Sequence, residues 1–133
     1  MRRSSAASRR GRRARRDAGA ERAVAVSDAY KADDPIALAR LLASDVCVVV
    51  DTGGVAGAAQ GPAIGTTAAL TLLRVALGAP RGLRFDVRSV NGRPGLLATR
   101  GGRPVAVLAF DGAIDGIEHI WVVTNPTKLE HWS

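Results

Sequence analysis

Cysteine is almost missing from these 133 residues: there is one, Cys47. An internal disulfide is therefore excluded, and Cys47, set in an apolar run, is expected to be a small core residue. One cysteine and two histidines cannot assemble a four-ligand zinc site, so no metal is expected. No apolar run approaches the roughly 20 residues that a membrane helix needs. The N-terminus has no apolar segment of the kind a secretory signal carries. Gly53, Gly54 and Gly57 lack the lysine and helix start of a phosphate loop, no Ser–His–acid spacing stands out, and no cofactor is expected. Lysine is scarce beside arginine, 2 against 17. With abundant alanine and glycine, that bias points to a GC-rich bacterial genome and a cytoplasmic protein.

What is present divides the chain in two. Residues 1–23 hold nine arginines against Asp17 and Glu21, whereas residues 24–133 hold ten basic and ten acidic side chains. The net charge of +7 thus lies entirely in the tail, and the body is neutral. A neutral body has no strong electrostatic reason to sit on nucleic acid or an anionic membrane. The expected division is a disordered Arg-rich tail over 1–22 and one domain over 23–133; 47% hydrophobic content is enough for a core. Arg9, Arg10, Arg12, Arg13, Arg15 and Arg16 either bind nucleic acid weakly and salt-sensitively or are a solvated linker.

Helical periodicity is expected from Arg22 to Ala32, with Val24, Ala25, Ala29 and Tyr30 near one face. Asp33 or Asp34 caps a second helix, with Pro35 in its first turn. Val46–Asp51 is β-branched and reads as a strand, and a weak strand follows at Val55–Gln60. Thr66 or Thr67 caps a third helix over Ala68–Leu77, ended by Gly78 and Pro80. The period then changes to two. Leu83–Val90, Pro94–Thr99, Val105–Phe110 and Ile114–Thr124 are joined by Asn91-Gly92-Arg93, Gly101-Gly102 and Asp111-Gly112, which predicts an antiparallel meander. Several strands are apolar on both faces, with Val105, Val107 and Ala109 on one side and Ala106, Leu108 and Phe110 on the other. The second face is therefore expected to be covered by a second subunit, as a homodimer.

Three stretches resemble a known family. Val48-Val49-Val50-Asp51-Thr52-Gly53-Gly54 matches a strand ending in Asp-Gly-Gly-Gly-Lys. Val90-Asn91-Gly92-Arg93-Pro94-Gly95-Leu96 leads through a hairpin to Gly102-Arg103-Pro104-Val105-Ala106-Val107. Val123-Thr124-Asn125-Pro126-Thr127-Lys128-Leu129 matches an Asn-Pro-Asp-Lys-Leu motif. Together they resemble the SnoaL-like, nuclear-transport-factor-two-like domain that forms the C-terminal extension of SigJ-type extracytoplasmic-function sigma factors. The sigma regions themselves have no counterpart here, Val55 stands where the family has lysine, and Thr127 stands where it has aspartate. The resemblance implies an α+β cone of the cystatin-like kind, three N-terminal helices packed on a curved, mainly antiparallel sheet. It also implies a regulatory module acting through contacts with a sigma factor or RNA polymerase. The alternative is a small-molecule binder or an enzyme of isomerase, cyclase or hydrolase type using the cone pocket.

The residues that would carry either role are few. Asp51, Gly53, Gly54, Trp121, Asn125, Pro126, Lys128 and Leu129 are the candidate ligand or partner contacts. For Asp51 the competing reading is a turn residue capping its own backbone. The stretch Asn125–Leu129 doubles as a C-terminal latch, with Leu129 plugging the core and Lys128 in water. Asp51 or His119 is the alternative acid–base residue for an enzyme. His119 and Trp121, two apart on a strand, share a face; the sequence leaves open whether that face lines the cone.

Overall fold

The computed structural model of the protein describes residues 18–53, 61–113 and 115–132. The Arg-rich run through Arg16, Gly54 and the strand expected at 55–60 lie outside the described residues. Helix α1 occupies 18–31 of the described residues, four positions earlier than its expected start. Its buried side chains are Ala23, Val26, Ser27, Ala29 and Tyr30, a helical stripe, while Val24 is exposed. Arg22, counted with the tail by charge, belongs to this helix, and its guanidinium donates to the carbonyls of Gly112 and Phe110.

Helix α2 (Pro35–Arg40) starts at Asp34, whose carboxylate accepts from the Ala37 N–H. Strand β1 (Leu42–Asp51) begins earlier than its β-branched run suggested, and β2 (Ala63–Ile64) is a two-residue partner for it. Helix α3 (Thr66–Leu77) is capped by neither threonine; its N-cap is Gly65 at φ +93°, with no side-chain cap. Its C-terminus is closed instead by distant groups. Arg100 donates to the carbonyls of Leu77 (3.0 Å), Ala79 (2.7 Å) and Arg81 (2.5 Å), and the Tyr30 hydroxyl donates to Gly78.

Strands β3 (Leu83–Val90), β4 (Arg93–Arg100), β5 (Arg103–Ala113) and β6 (Gly116–Val123) form the expected antiparallel meander. The sheet order is β2-β1-β6-β5-β4-β3, and β1 pairs with β6 in parallel. Hairpin chemistry predicts only neighbouring strands, so this pairing of distant segments carried no local signal.

The helices cover one face. Val46, Val48, Leu96, Ala98, Ala106, Leu108, Phe110, Ile120 and Val122 pack there with Leu73, Leu77 and Tyr30 in one core. Val105 joins this core rather than the face of Val107, because the register shifts between Ala98 and Thr99 and inserts an extra residue in β5. The opposite, outer face has its own cluster. Leu97 and Val107 are buried under Leu129 of α4 (Pro126–Leu129), with Val90, Val123 and Trp132 of the following 3-10 turn around them. The chain's own C-terminal segment thus covers part of the second apolar face, and Leu129 seals this outer cluster rather than the main core.

Candidate functional site

Parallel strands end side by side. The β1–β6 pairing sets Asp51 opposite Val123, so the segments that leave both strands emerge at one corner. Two of the motifs noted in the sequence meet there. The Asp51 carbonyl accepts from the N–H groups of Thr124 (2.9 Å) and Asn125 (3.1 Å), which hooks the end of β6 onto the end of β1. The Asp51 carboxylate is used at both oxygens: Oδ1 accepts from the Gly53 N–H at 2.9 Å, and Oδ2 meets Lys128 Nζ at 2.5 Å. Lys128, expected in water, is therefore paired.

Asn125 is the N-cap of α4, its Oδ1 accepting from the Thr127 N–H at 3.1 Å, and Pro126 supplies the first helical position with its preset φ. Gly53 sits at φ +74° directly against Asn125, so close that a Cβ there would lie 2.5 Å from Asn125 Cγ. The glycine is thus required twice, by its backbone and by the side chain above it.

The electrostatics follow from these contacts. The Lys128 ammonium, then the Gly53 N–H, hold the Asp51 carboxyl below its usual range. A carboxylate stabilised in its charged form is a poor proton acceptor at neutral pH. His119 lies on the outer face, stacked on Trp121 with ring centroids 5.5 Å apart and planes 13° apart. The structure does not bring Asp51 and His119 together in the helix-covered interior. Among the described residues the buried polar side chain is Ser27, whose hydroxyl donates to the Val24 carbonyl. No group of three or more His, Cys, Asp or Glu among the described residues is arranged to hold a metal. No described helix is long and apolar enough to cross a membrane.

Two features were missed from sequence. Cys47 is not in the core: it lies half-buried on the outer face, paired in register with His119 and Ile64. An open groove of about 250 Å³ lies between the helices, lined by Tyr30, Asp33, Asp34, Leu38, Leu70 and Arg74. Arg74 and Asp33 pair across it at 3.0 Å, and burial pushes the Tyr30 phenol up. Leu70 and Arg74 lie about one turn apart on α3, but nothing in the sequence set them against the turn after α1.

No protein-family profile matches the chain, and no curated protein sequence matches it. Solved structures do. The chain is similar to the Mycobacterium tuberculosis extracytoplasmic function sigma factor SigJ, with TM-score 0.61 and 22% identity over 84% of this chain. It spans 43% of the SigJ chain. It is similar along nearly its whole length to an NTF-2 like protein of unknown function from Burkholderia xenovorans, with TM-score 0.58, 18% identity and coverage of 90% of this chain and 95% of that one. TerC, co-crystallised with polyporic acid, matches at TM-score 0.52 and 14% identity, covering 85% and 95% of the two chains. Helices packed on one face of a six-stranded mixed sheet, in this order and with these neighbours, give the chain the NTF2-like, SnoaL-like fold.

Proposed function

We propose that this chain is a non-catalytic module that acts through protein contacts in transcriptional regulation, with a sigma factor or RNA polymerase as partner. The observation that carries the reading is the meeting of Asp51-Thr52-Gly53 with Asn125-Pro126-Thr127-Lys128 in one corner, closed by the Asp51–Lys128 pair. The likeness in fold to SigJ over 84% of this chain supports it. So does a carboxylate committed to a lysine and a backbone N–H rather than poised to move protons. The contact surface is this corner, and the part of the outer sheet face not covered by α4 takes a second copy of the chain through Val49, Ile64 and Trp121.

The test is binding of the purified protein to a purified extracytoplasmic-function sigma factor and to RNA polymerase core. Saturable binding that weakens with Lys128→Ala supports the reading; no binding to either overturns it. Sedimentation of the isolated protein tests the dimer: Trp121→Glu should yield monomer, and a monomeric wild type refutes it. The second reading is a small-molecule binder. The groove at Tyr30 and Arg74 favours it, as does the likeness in fold to TerC, crystallised with polyporic acid. Thermal shifts against aromatic hydroxy acids, abolished by Arg74→Ala, would favour this reading over the first.

A further inference from the structure

The groove between the helices has its cation already occupied from within. Helix α1 ends in a double closure: the Asp33 N–H donates to the Tyr30 carbonyl at 3.0 Å, and the Asp34 N–H to the Ala29 carbonyl at 3.1 Å. That closure holds Asp33 in the left-handed region, at φ +52°. Glycine is the residue such a position favours, because a Cβ there crowds the following carbonyl. The chain places aspartate at it instead, and the carboxylate reaches across the groove, where Oδ1 accepts from Arg74 Nη1 at 3.0 Å. The side chains of Arg74 and Asp33 are 50% and 63% exposed, and an ion pair so open to solvent holds weakly. Asp34 serves elsewhere, as the cap of α2. Among the described residues that line the groove Arg74 is the one cation, and Pro35, Leu38, Leu70 and the ring of Tyr30 supply apolar walls.

We infer that Asp33 is an internal competitor for a small carboxylic acid that binds Arg74 in this groove. The inference rests on the small-molecule reading of the groove and adds its regulation. In the empty protein Asp33 holds the guanidinium. An incoming carboxylate takes its place through two parallel N–H···O bonds, the geometry a guanidinium favours, and the apolar body of the acid lies along Leu38 and Leu70. Asp33 rotates its side chain into water, and the two backbone hydrogen bonds that end α1 stay as they are. A volume of about 250 Å³ suits a single ring with its acid group. The apparent affinity is lowered by the fraction of molecules in which Arg74 is free. Asp33 thus sets the concentration of acid at which the groove fills.

Calorimetric titration of the full chain with 4-hydroxybenzoate tests this. Asp33→Asn removes the charge and keeps a residue that tolerates the left-handed region. It should bind the acid about fivefold more tightly than wild type, the scale of one exposed ion pair. The neutral analogue 4-hydroxybenzamide should show no such gain. In an Arg74→Ala background, adding Asp33→Asn should gain nothing, because no cation is left to compete for. Asp33→Gly should gain affinity like Asp33→Asn and melt no lower than wild type. A lower melting temperature with no gain in affinity would make the pair merely structural and overturn the inference. Equal affinity of wild type and Asp33→Asn for the acid, with binding lost in Arg74→Ala, would overturn the competitor and leave the groove reading standing. Absence of binding to wild type and to both Asp33 variants would overturn the two together.

Discussion

Replacing Gly53 with alanine probes the corner where the two motifs meet, and the structure separates its cost into parts. The backbone is at φ +74°, where a side chain costs about 1–2 kcal/mol. The added Cβ would also lie 2.5 Å from Asn125 Cγ and 2.7 Å from both Nδ2 and Oδ1, an overlap worth about 1–3 kcal/mol. Gly53→Ala should therefore destabilise by about 2–5 kcal/mol. Asn125→Ala removes the cap of α4 and should cost about 1 kcal/mol. In the double variant the overlap is gone, so only backbone strain and the lost cap remain, about 2–3 kcal/mol in all. The double variant should thus be more stable than the sum of the singles predicts by about 1–3 kcal/mol. Urea unfolding followed by tryptophan fluorescence measures all three. Additivity within about 0.5 kcal/mol would show that Gly53 and Asn125 are not in contact, and the account of the corner would fail.

Other expectations follow from the same contacts. The Asp51 carboxyl is depressed in the folded protein, so its pair with Lys128 contributes above the unfolded value of about 3.9 and is lost as pH falls through the folded value. Asp51→Asn should flatten the acid limb of a pH–stability curve, and an unchanged limb would remove the pair from the account. Arg100→Met deletes donors to three carbonyls at the end of α3 and should cost about 1–3 kcal/mol by calorimetry, with Arg100→Lys recovering little. Leu129→Ala opens the outer cluster and should cost about 2–3 kcal/mol, with a red shift of tryptophan emission as Trp132 is wetted.

What could be seen in the sequence was local. The Asp34–Pro35 start of α2 and the Asn91-Gly92 and Gly101-Gly102 turns each act within a few residues, and each is where the chain bends. The element order and the likeness to SnoaL-like domains followed from them. What could not be seen was made by distance. Nothing near Thr66 shows that Gly65 takes the cap position, or that Arg100 and Tyr30 close the far end of α3. The face of Val105 depends on a bulge at Ala98/Thr99, and the opposite facing of Ile117 and His119 on one at Asp111/Gly112, and each adds a residue to the ladder without a compositional mark. The corner was half legible: both motifs were noted, but their meeting depends on a parallel pairing between strands that no turn connects.

That pairing has a consequence for how the protein is made. A ribosome delivers β1 long before β6 exists, so the apolar run from Val46 to Val50 emerges with, among the described residues, the two residues of β2 as its ladder partner near it in sequence. Its main partner is complete only when Val123 clears the exit tunnel, and the Asp51–Lys128 tie comes later still. Such long-range closure slows folding and leaves a sticky strand exposed during synthesis. A nascent chain stalled before residue 116 should be a chaperone client, and release past residue 129 should end that dependence.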